Sequence, residues 1–428
     1  FDLFEVPVDG RAAPKNLTDA NDAMDTNPVF SADGKTLFWR AMKRPGFEAD
    51  RFGLMALDRA TGATREIAAD WDRSFDMLVP GDDGRTMYTA TLDTGTHPVF
   101  EVNLASGAVR KVVQGGNIGA FDIDGDRIVF TRDSIAQPAD LYLGAIRARI
   151  AERRLTTYNA EALSGVRMGE YEQFSFKGWN DATVHGYVIK PWNAGPGKKA
   201  PVAFLIHGGP QGSFHNQWHY RWNAQTYAGM GFAVVMIDFH GSTGYGQAFT
   251  DAISEDWGGK PLVDLQKGWA AALEKYDFLD GERACALGGS YGGYMVNWIA
   301  GNWNEPWDCF VNHAGVFDLR SMAYSTEELW FTEWENGGVP WENAAAMEKH
   351  NPVNFVQNWR VPMLVIHGQK DYRVLVEQGL ATFGALQRRG IESELLYFPD
   401  ENHWILRPHN SVQWHESVNA WLQEHTGR

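Results

Sequence analysis

Cys285-Ala286-Leu287-Gly288-Gly289-Ser290-Tyr291-Gly292-Gly293 is the stretch that decides the fold of this chain. A short apolar run that reads as a buried strand passes directly into Gly-x-Ser-x-Gly, and residues 294–300 behind it read as a helix. So sharp a strand-to-helix turn holds the serine in strained backbone angles. Side chains two residues to either side of it would collide with the neighbouring chain, which is why glycines are needed there. The turn leaves the Ser290 hydroxyl exposed near a helix N-terminus. The plainer reading, a glycine-rich turn with an incidental serine, loses weight against this strand-and-helix context.

The surrounding sequence alternates strands with helices, as a doubly wound, mostly parallel sheet requires. Residues 187–189, 202–206, 233–237, 285–287, 309–312, 363–366 and 395–398 read as strands. Residues 262–275, 294–300, 376–389 and 411–424 read as helices. In such a sheet the chemistry belongs on the loops at the carboxyl edge.

A serine hydroxyl is a weak nucleophile near neutral pH and needs a base within reach and an acid to orient that base, which in this fold follow in the order Ser, Asp or Glu, His. Behind the strand ending at Ile366 comes His367-Gly-Gln-Lys-Asp371, and behind the strand ending at Phe398 comes Pro399-Asp-Glu-Asn-His403. Asp371 and His403 are therefore the candidate acid and base. Asp318 is the rival acid, against its ordinary role as a turn or cap residue. Two preorganised N–H donors are expected for the developing oxyanion: that of Tyr291 and one from Gly208-Gly209 in His207-Gly-Gly-Pro210. A plain tight turn is the alternative for that loop. His215 and His219 have the spacing of a zinc helix, but Asn216 stands where the metalloprotease glutamate must be, so no metal is expected and the chemistry calls for no cofactor. The tryptophans of 330–341 suit core packing and interfaces more often than a ligand pocket.

Up to about residue 160 the pattern is different: short alternating strands broken by turn signals. Residues 27–39, 75–88 and 120–130 align as repeats about 46 residues apart, each with an Asp-Gly turn between two strands. Four strands per unit at that period is β-propeller spacing, with a β-sandwich as the alternative. Only about three and a half blades fit, fewer than a closed ring usually needs. The expected organisation is thus a partial all-β propeller over 1–160 and an α/β-hydrolase domain over 161–428.

Composition agrees with a large folded chain and narrows its partners. With 428 residues and 44% apolar content there is material for two cores. A net charge of -16 has the wrong sign for nucleic acid or anionic lipid. No apolar run is long enough to span a bilayer, which reads as a soluble protein. The chain opens at Phe1 without an initiator Met or leader pattern, as an excised or processed piece would. The two cysteines, each in a buried strand, read as inert thiols rather than a disulfide.

His207-Gly-Gly-Pro210, Gly241-Ser-Thr-Gly-Tyr-Gly246, Trp257-Gly-Gly259, Gly289-Ser-Tyr-Gly-Gly293, Asp371-Tyr-Arg-Val374 and Asn402-His403 together resemble the prolyl oligopeptidase family of serine peptidases over essentially the whole chain. Gly208-Gly-Pro-Gln-Gly212, Arg221-Trp-Asn223 and Ser325-Thr-Glu-Glu-Leu-Trp330 are most similar to its dipeptidyl-peptidase branch, with acylaminoacyl-peptidases next. The resemblance implies a propeller ahead of an α/β-hydrolase domain and release of dipeptides from the free N-termini of short peptides, with Ala or a hydrophobic residue at P1. It further implies that Arg373 contacts the P2 carbonyl, that Tyr291 and Val374 wall the P1 pocket, that the chain dimerises through its hydrolase domain, and that it is periplasmic or secreted. Family recognition of the substrate amine draws on propeller acids, which are not assignable here because the propeller is incomplete. Two rivals stand beside this reading. A lipase or carboxylesterase would share the fold, but a β-ring that sieves substrates by size suits short peptides. A non-catalytic propeller scaffold would have no physical need for serine, acid and histidine on three correct loops.

Overall fold

The computed structural model of the chain describes residues 1–147 and 152–427. They form two compact units: 1–165 with 215–218 and 243–248, and the remainder from 166 onward.

The first unit is built from three four-stranded antiparallel sheets and one two-stranded sheet. The first of the three runs through Asp25–Phe30, Thr36–Ala41, Gly53–Asp58 and Thr64–Ile67. The second comprises Val79–Pro80, Thr86–Ala90, Val99–Asn103 and Val109–Val113, and the third Asn117–Asp124, Arg127–Ser134, Gln137–Ala145 and Arg153–Arg154. Each repeat read in the sequence opens one of these sheets, and its Asp-Gly turn closes the first hairpin, with Gly34, Gly84 and Gly125 all at positive φ. Alternation then puts apolar residues on the sheet faces. Phe38, Leu54 and Ile67 of the first sheet pack with Phe75, Met87 and Val102, and Tyr88 and Val99 of the second with Ile118, Ile128 and Phe130 of the third. Successive four-stranded sheets sharing cores face to face are propeller blades.

The second unit is an eight-stranded sheet. Its strands are β1 (Tyr171–Lys177), β2 (Thr183–Ile189), β3 (Ala200–Ile206), β4 (Ala233–Asp238), β5 (Leu279–Gly289), β6 (Trp307–His313), β7 (Met363–Gly368) and β8 (Ser393–Phe398). They lie in the order β1-β2-β4-β3-β5-β6-β7-β8. The β1–β2 and β2–β4 pairs are antiparallel and every later pair is parallel. This is the α/β-hydrolase sheet, and all the strands expected from the apolar runs are present. The central strands β3 and β4 are buried along their whole length, which is why they read as unbroken apolar runs rather than alternating ones.

Helices that matter for the site are α1 (Ala224–Gly229), α2 (Lys260–Lys275), α3 (Tyr291–Asn302), α4 (Leu319–Ser325), α5 (Leu329–Glu335), α6 (Val376–Arg389) and α7 (Pro408–His425). Among the described residues, no helix is long and apolar enough to cross a membrane.

One sequence expectation is corrected. Cys285 and Cys309 are a disulfide, not a pair of free thiols. They occupy facing register positions on the adjacent parallel strands β5 and β6, with Cα atoms 4.7 Å apart, within the range a disulfide bridges. Pairing register depends on how distant strands align, and cysteine spacing along the chain does not report it.

Candidate active site

Strand β5 runs into α3 with only Ser290 between them, at φ 59° and ψ −122°. A non-glycine residue stays in that region only where its surroundings over-determine it. Here the Ser290 N–H donates to His313 O at 2.9 Å and its carbonyl accepts from the Tyr294 N–H at 2.9 Å. The flanking glycines make the turn possible. A Cβ on Gly292 would come within 2.2 Å of Ile206 O, and one on Gly288 within 2.4 Å of the Gly292 carbonyl carbon.

Asp371 follows β7 and is buried, whereas His403 follows β8 and is partly exposed. His403 Nδ1 lies 2.6 Å from Asp371 Oδ2, and Asp371 Oδ1 accepts the N–H groups of Arg373 and Val374, each at 3.0 Å. His367 Nε2 donates to Val374 O at 2.8 Å and stands 3.4 Å from Asp371 Oδ2. Burial pushes the Asp371 pKa up, but the hydrogen bonds from His367 and His403 outweigh it and hold the carboxyl well below the usual carboxylate range. An ionised carboxylate only accepts, so Nδ1 of His403 carries the proton and Nε2 presents a lone pair. Among the described residues no hydrogen bond joins that Nε2 to Ser290 Oγ. Such contacts are often open before substrate arrives.

The 207–212 loop lies against the serine turn. A Cβ on Gly208 would sit 2.9 Å from Gly289 O and 3.2 Å from Ser290 Cβ, and Gly209 has φ +127°. His207 underneath is buried, and burial lowers its pKa, so the ring is neutral. Its Nδ1–H bonds to Gly208 O at 2.8 Å and its Nε2 accepts from the Ser242 hydroxyl at 2.8 Å. Gln211 Nε2 donates to Glu335 Oε1 at 2.8 Å. The Glu335 carboxylate also accepts from Ser254 Oγ (3.2 Å) and Trp257 Nε1 (2.8 Å) while only 2% exposed. Tyr291 is the first residue of α3, so the helix makes no use of its N–H.

The Tyr291 ring is buried among Phe239, Trp257 and Tyr294, with its hydroxyl donating to Trp257 O at 2.6 Å. Val374 is buried as well. Arg373 is partly exposed and ion-paired, at 2.5 Å to Glu328 and 3.4 Å to Glu327. Asp318 stands apart as the N-cap of α4, accepting from the Arg320 N–H and Asn351 Nδ2. His219 Nδ1 accepts the backbone N–H groups of Arg221 and Trp222. Among the described residues no cluster of His, Cys, Asp and Glu is arranged to hold a metal. Trp330 and Trp341 are largely exposed rather than packed inside.

Sequence reading missed His313. Its carbonyl holds the Ser290 N–H, its Nδ1 accepts Trp414 Nε1–H at 2.9 Å, and its Nε2–H is left to donate to His403 O at 3.2 Å. Burial, and after it the neighbouring His403, push its pKa down to about 3, so the ring is neutral and this pattern is fixed. It thus ties the backbones of Ser290 and His403 together. A histidine at the end of an apolar strand carries no local mark of that role.

The fold and this edge of the sheet define the class, and comparison agrees: residues 218–428 match the prolyl oligopeptidase family. It is 37% identical to dipeptidyl-peptidase 5 of Schizosaccharomyces pombe, covering 99% of this chain and 62% of that protein. It is 34% identical to dipeptidyl-peptidase 5 of Porphyromonas gingivalis, covering 95% of this chain and 60% of that one. The chain therefore spans about three fifths of the length of these relatives. Among solved structures, Pyrococcus horikoshii acylaminoacyl peptidase superposes with a TM-score of 0.84 at 24% identity, over 96% of this chain and 64% of that one. Porphyromonas gingivalis dipeptidyl peptidase 4 gives 0.78 at 18%, over 99% and 60%. At these identities both show the shared fold.

Proposed function

We propose that this chain carries the catalytic machinery of a serine exopeptidase that releases dipeptides, with Ala or a hydrophobic residue at P1, from the free N-terminus of short peptides. The observation that carries the reading is the 2.6 Å Asp371–His403 hydrogen bond on loops flanking a serine held at positive φ. Ser290 Oγ bonds to the P1 carbonyl carbon while its proton passes to His403 Nε2, and Asp371 holds the imidazolium that forms. The N–H groups of Tyr291 and of the Gly208-Gly209 loop receive the oxyanion. His403 returns the proton to the leaving nitrogen as the C–N bond breaks, and the remaining peptide departs. A water deprotonated by His403 then adds to the acyl-enzyme, freeing the dipeptide and restoring the hydroxyl. Arg373 contacts the P2 carbonyl, and Tyr291 and Val374 wall the P1 pocket. A periplasmic or secreted setting, which suits the buried disulfide, and a homodimer through the hydrolase half belong to the same reading.

The test is a comparison of kcat/KM on the full-length protein for a dipeptidyl chromogenic amide with a free amine and for its N-acetylated counterpart. The free-amine substrate is expected to be cleaved faster by about ten-fold or more, since a site built for an ammonium is left unpaired by the blocked form. Preference for the blocked form would instead indicate an acylaminoacyl-peptidase.

His313 supplies a second prediction. His313→Phe is expected to lower kcat about ten-fold with KM little changed, the equivalent of one hydrogen bond, because the His403 carbonyl loses its anchor. His313→Gln, which can still donate, should recover most of it. A rise in KM alone would mean that His313 does not position the base.

A further inference from the structure

We propose that Arg221 forms a subsite on the leaving-group side of Ser290 that binds a carboxylate of the departing peptide. This would be its C-terminus in a tri- or tetrapeptide, or an acidic side chain just beyond the scissile bond. The proposal rests on the acyl-enzyme reading above and specifies what that site selects.

The placement comes from two neighbours. The Arg221 guanidinium lies over the ring of Trp404, 4.6 Å from its centroid, and Trp404 follows His403 directly. Trp222, the next residue, has its ring against the serine turn, where a Cβ on Gly289 would meet it at 3.0 Å. The same ring packs edge-on against His313 and Trp414. The Arg221-Trp222 pair is thus wedged beside both the nucleophile turn and the histidine loop. His403 protonates the leaving nitrogen, so the leaving peptide departs past that loop. Arg373, on the Asp371 loop, is the cation assigned to the acyl half of the substrate.

The chemistry comes from what Arg221 lacks. Arg373 and Arg407, the arginines of the two loops that carry Asp371 and His403, are both ion-paired, to Glu328 and to Asp400. Arg221 is partly buried, yet among the described residues no carboxylate pairs with it and its guanidinium makes no hydrogen bond. In a chain with 54 acidic and 38 basic residues, a half-buried cation left without an acid is an open position. Burial lowers its pKa with no acid to offset it, although a guanidinium stays charged throughout the working range. The position is also built. His219 Nδ1 accepts the backbone N–H groups of Arg221 and Trp222 at 3.1 and 2.9 Å. Burial first, and then the charge of Arg221, push the His219 pKa down to about 4, so it is a neutral support. A planar guanidinium fixed over an indole presents its outer edge for a bidentate carboxylate.

The experiment measures kcat/KM on the full-length protein for Ala-Ala-Ala with a free carboxylate, for the same tripeptide amide, for Ala-Ala-Glu amide, and for a dipeptidyl chromogenic amide whose leaving group has no carboxylate. The parent is expected to prefer a carboxylate-bearing tripeptide over the neutral amide by about ten-fold. Which of the two is preferred tells C-terminus from side chain. That ratio should fall close to one in Arg221→Gln, be partly kept in Arg221→Lys, and shrink in about 0.5 M salt. Labelling by a fluorophosphonate shows that Arg221→Gln has folded. Should it fail to label, the Arg221→Lys and salt arms decide. A parent ratio near one, or a ratio unchanged in Arg221→Gln, while the chromogenic amide is turned over, removes the subsite and leaves the peptidase reading standing. No turnover of the chromogenic amide by the parent removes the peptidase reading itself.

Discussion

Ser290→Ala is expected to lower kcat by several orders of magnitude, about 10⁴-fold or more, with the fold intact. The size follows from the geometry. The hydroxyl is the only reactive group at the tip of the turn, and without it His403 has no proton to take and no acyl-enzyme forms. What remains is the oxyanion donors and substrate binding, which in comparable enzymes leave a small residual rate. Stability should change little, because the removed oxygen makes no hydrogen bond among the described residues. The strained backbone is held by the His313 and Tyr294 contacts, which alanine keeps. Mass spectrometry after fluorophosphonate treatment reads the assignment directly: the parent gains one adduct on Ser290 and the variant gains none. Equal activity in parent and variant would show that the nucleophile lies elsewhere.

Asp371→Asn should come close behind, with kcat down by about 10⁴-fold as for the equivalent change in other serine hydrolases. The hydrogen-bond pattern explains why an almost isosteric change is so damaging. Oδ1 accepts two backbone N–H groups, from Arg373 and Val374, so the oxygen of an asparagine must occupy that side. Its NH₂ then faces His403 Nδ1, where the carboxylate oxygen now sits at 2.6 Å. A donor there drives the imidazole to its other tautomer, putting the proton on Nε2 and removing the lone pair that should deprotonate the serine. Kinetics on a chromogenic amide, together with unchanged fluorescence of the tryptophans, would separate this from unfolding. Because Asp371 is held well below the usual carboxylate range, it stays ionised as pH falls through the range where exposed carboxylates protonate, so the acid limb of activity should not trace to it.

Much of this was legible before any coordinates. The strand, turn and helix around Ser290 follow from local rules: apolar runs, glycines where a Cβ has no room, and a helical pattern behind. The sequence pattern and the structure give helix 376–389 the same bounds, and the structure adds terminal Arg388 and Arg389 and a left-handed Gly390 beyond. The loops that carry Asp371 and His403 were legible for the same reason, each following a strand of obvious apolar character. What escaped depends on register and on distant packing. The Cys285–Cys309 bridge needs two parallel strands aligned residue by residue. The roles of His313 and Glu335 arise only when Trp414, His403, Gln211 and Trp257 arrive from far along the chain. The absence, among the described residues, of an acid beside Arg221 is likewise a property of the folded surface.

The buried carboxylate of Glu335 has a practical consequence for protein engineering. One end of helix α5 and the glycine loop beside Ser290 share it through Gln211, and Ser254 and Trp257 also donate to it. Helix α5 and the glycine loop beside Ser290 are therefore mechanically linked. A designer who reshapes α5 also shifts the Gly208-Gly209 loop proposed to receive the oxyanion, so such variants should be screened for turnover as well as for folding.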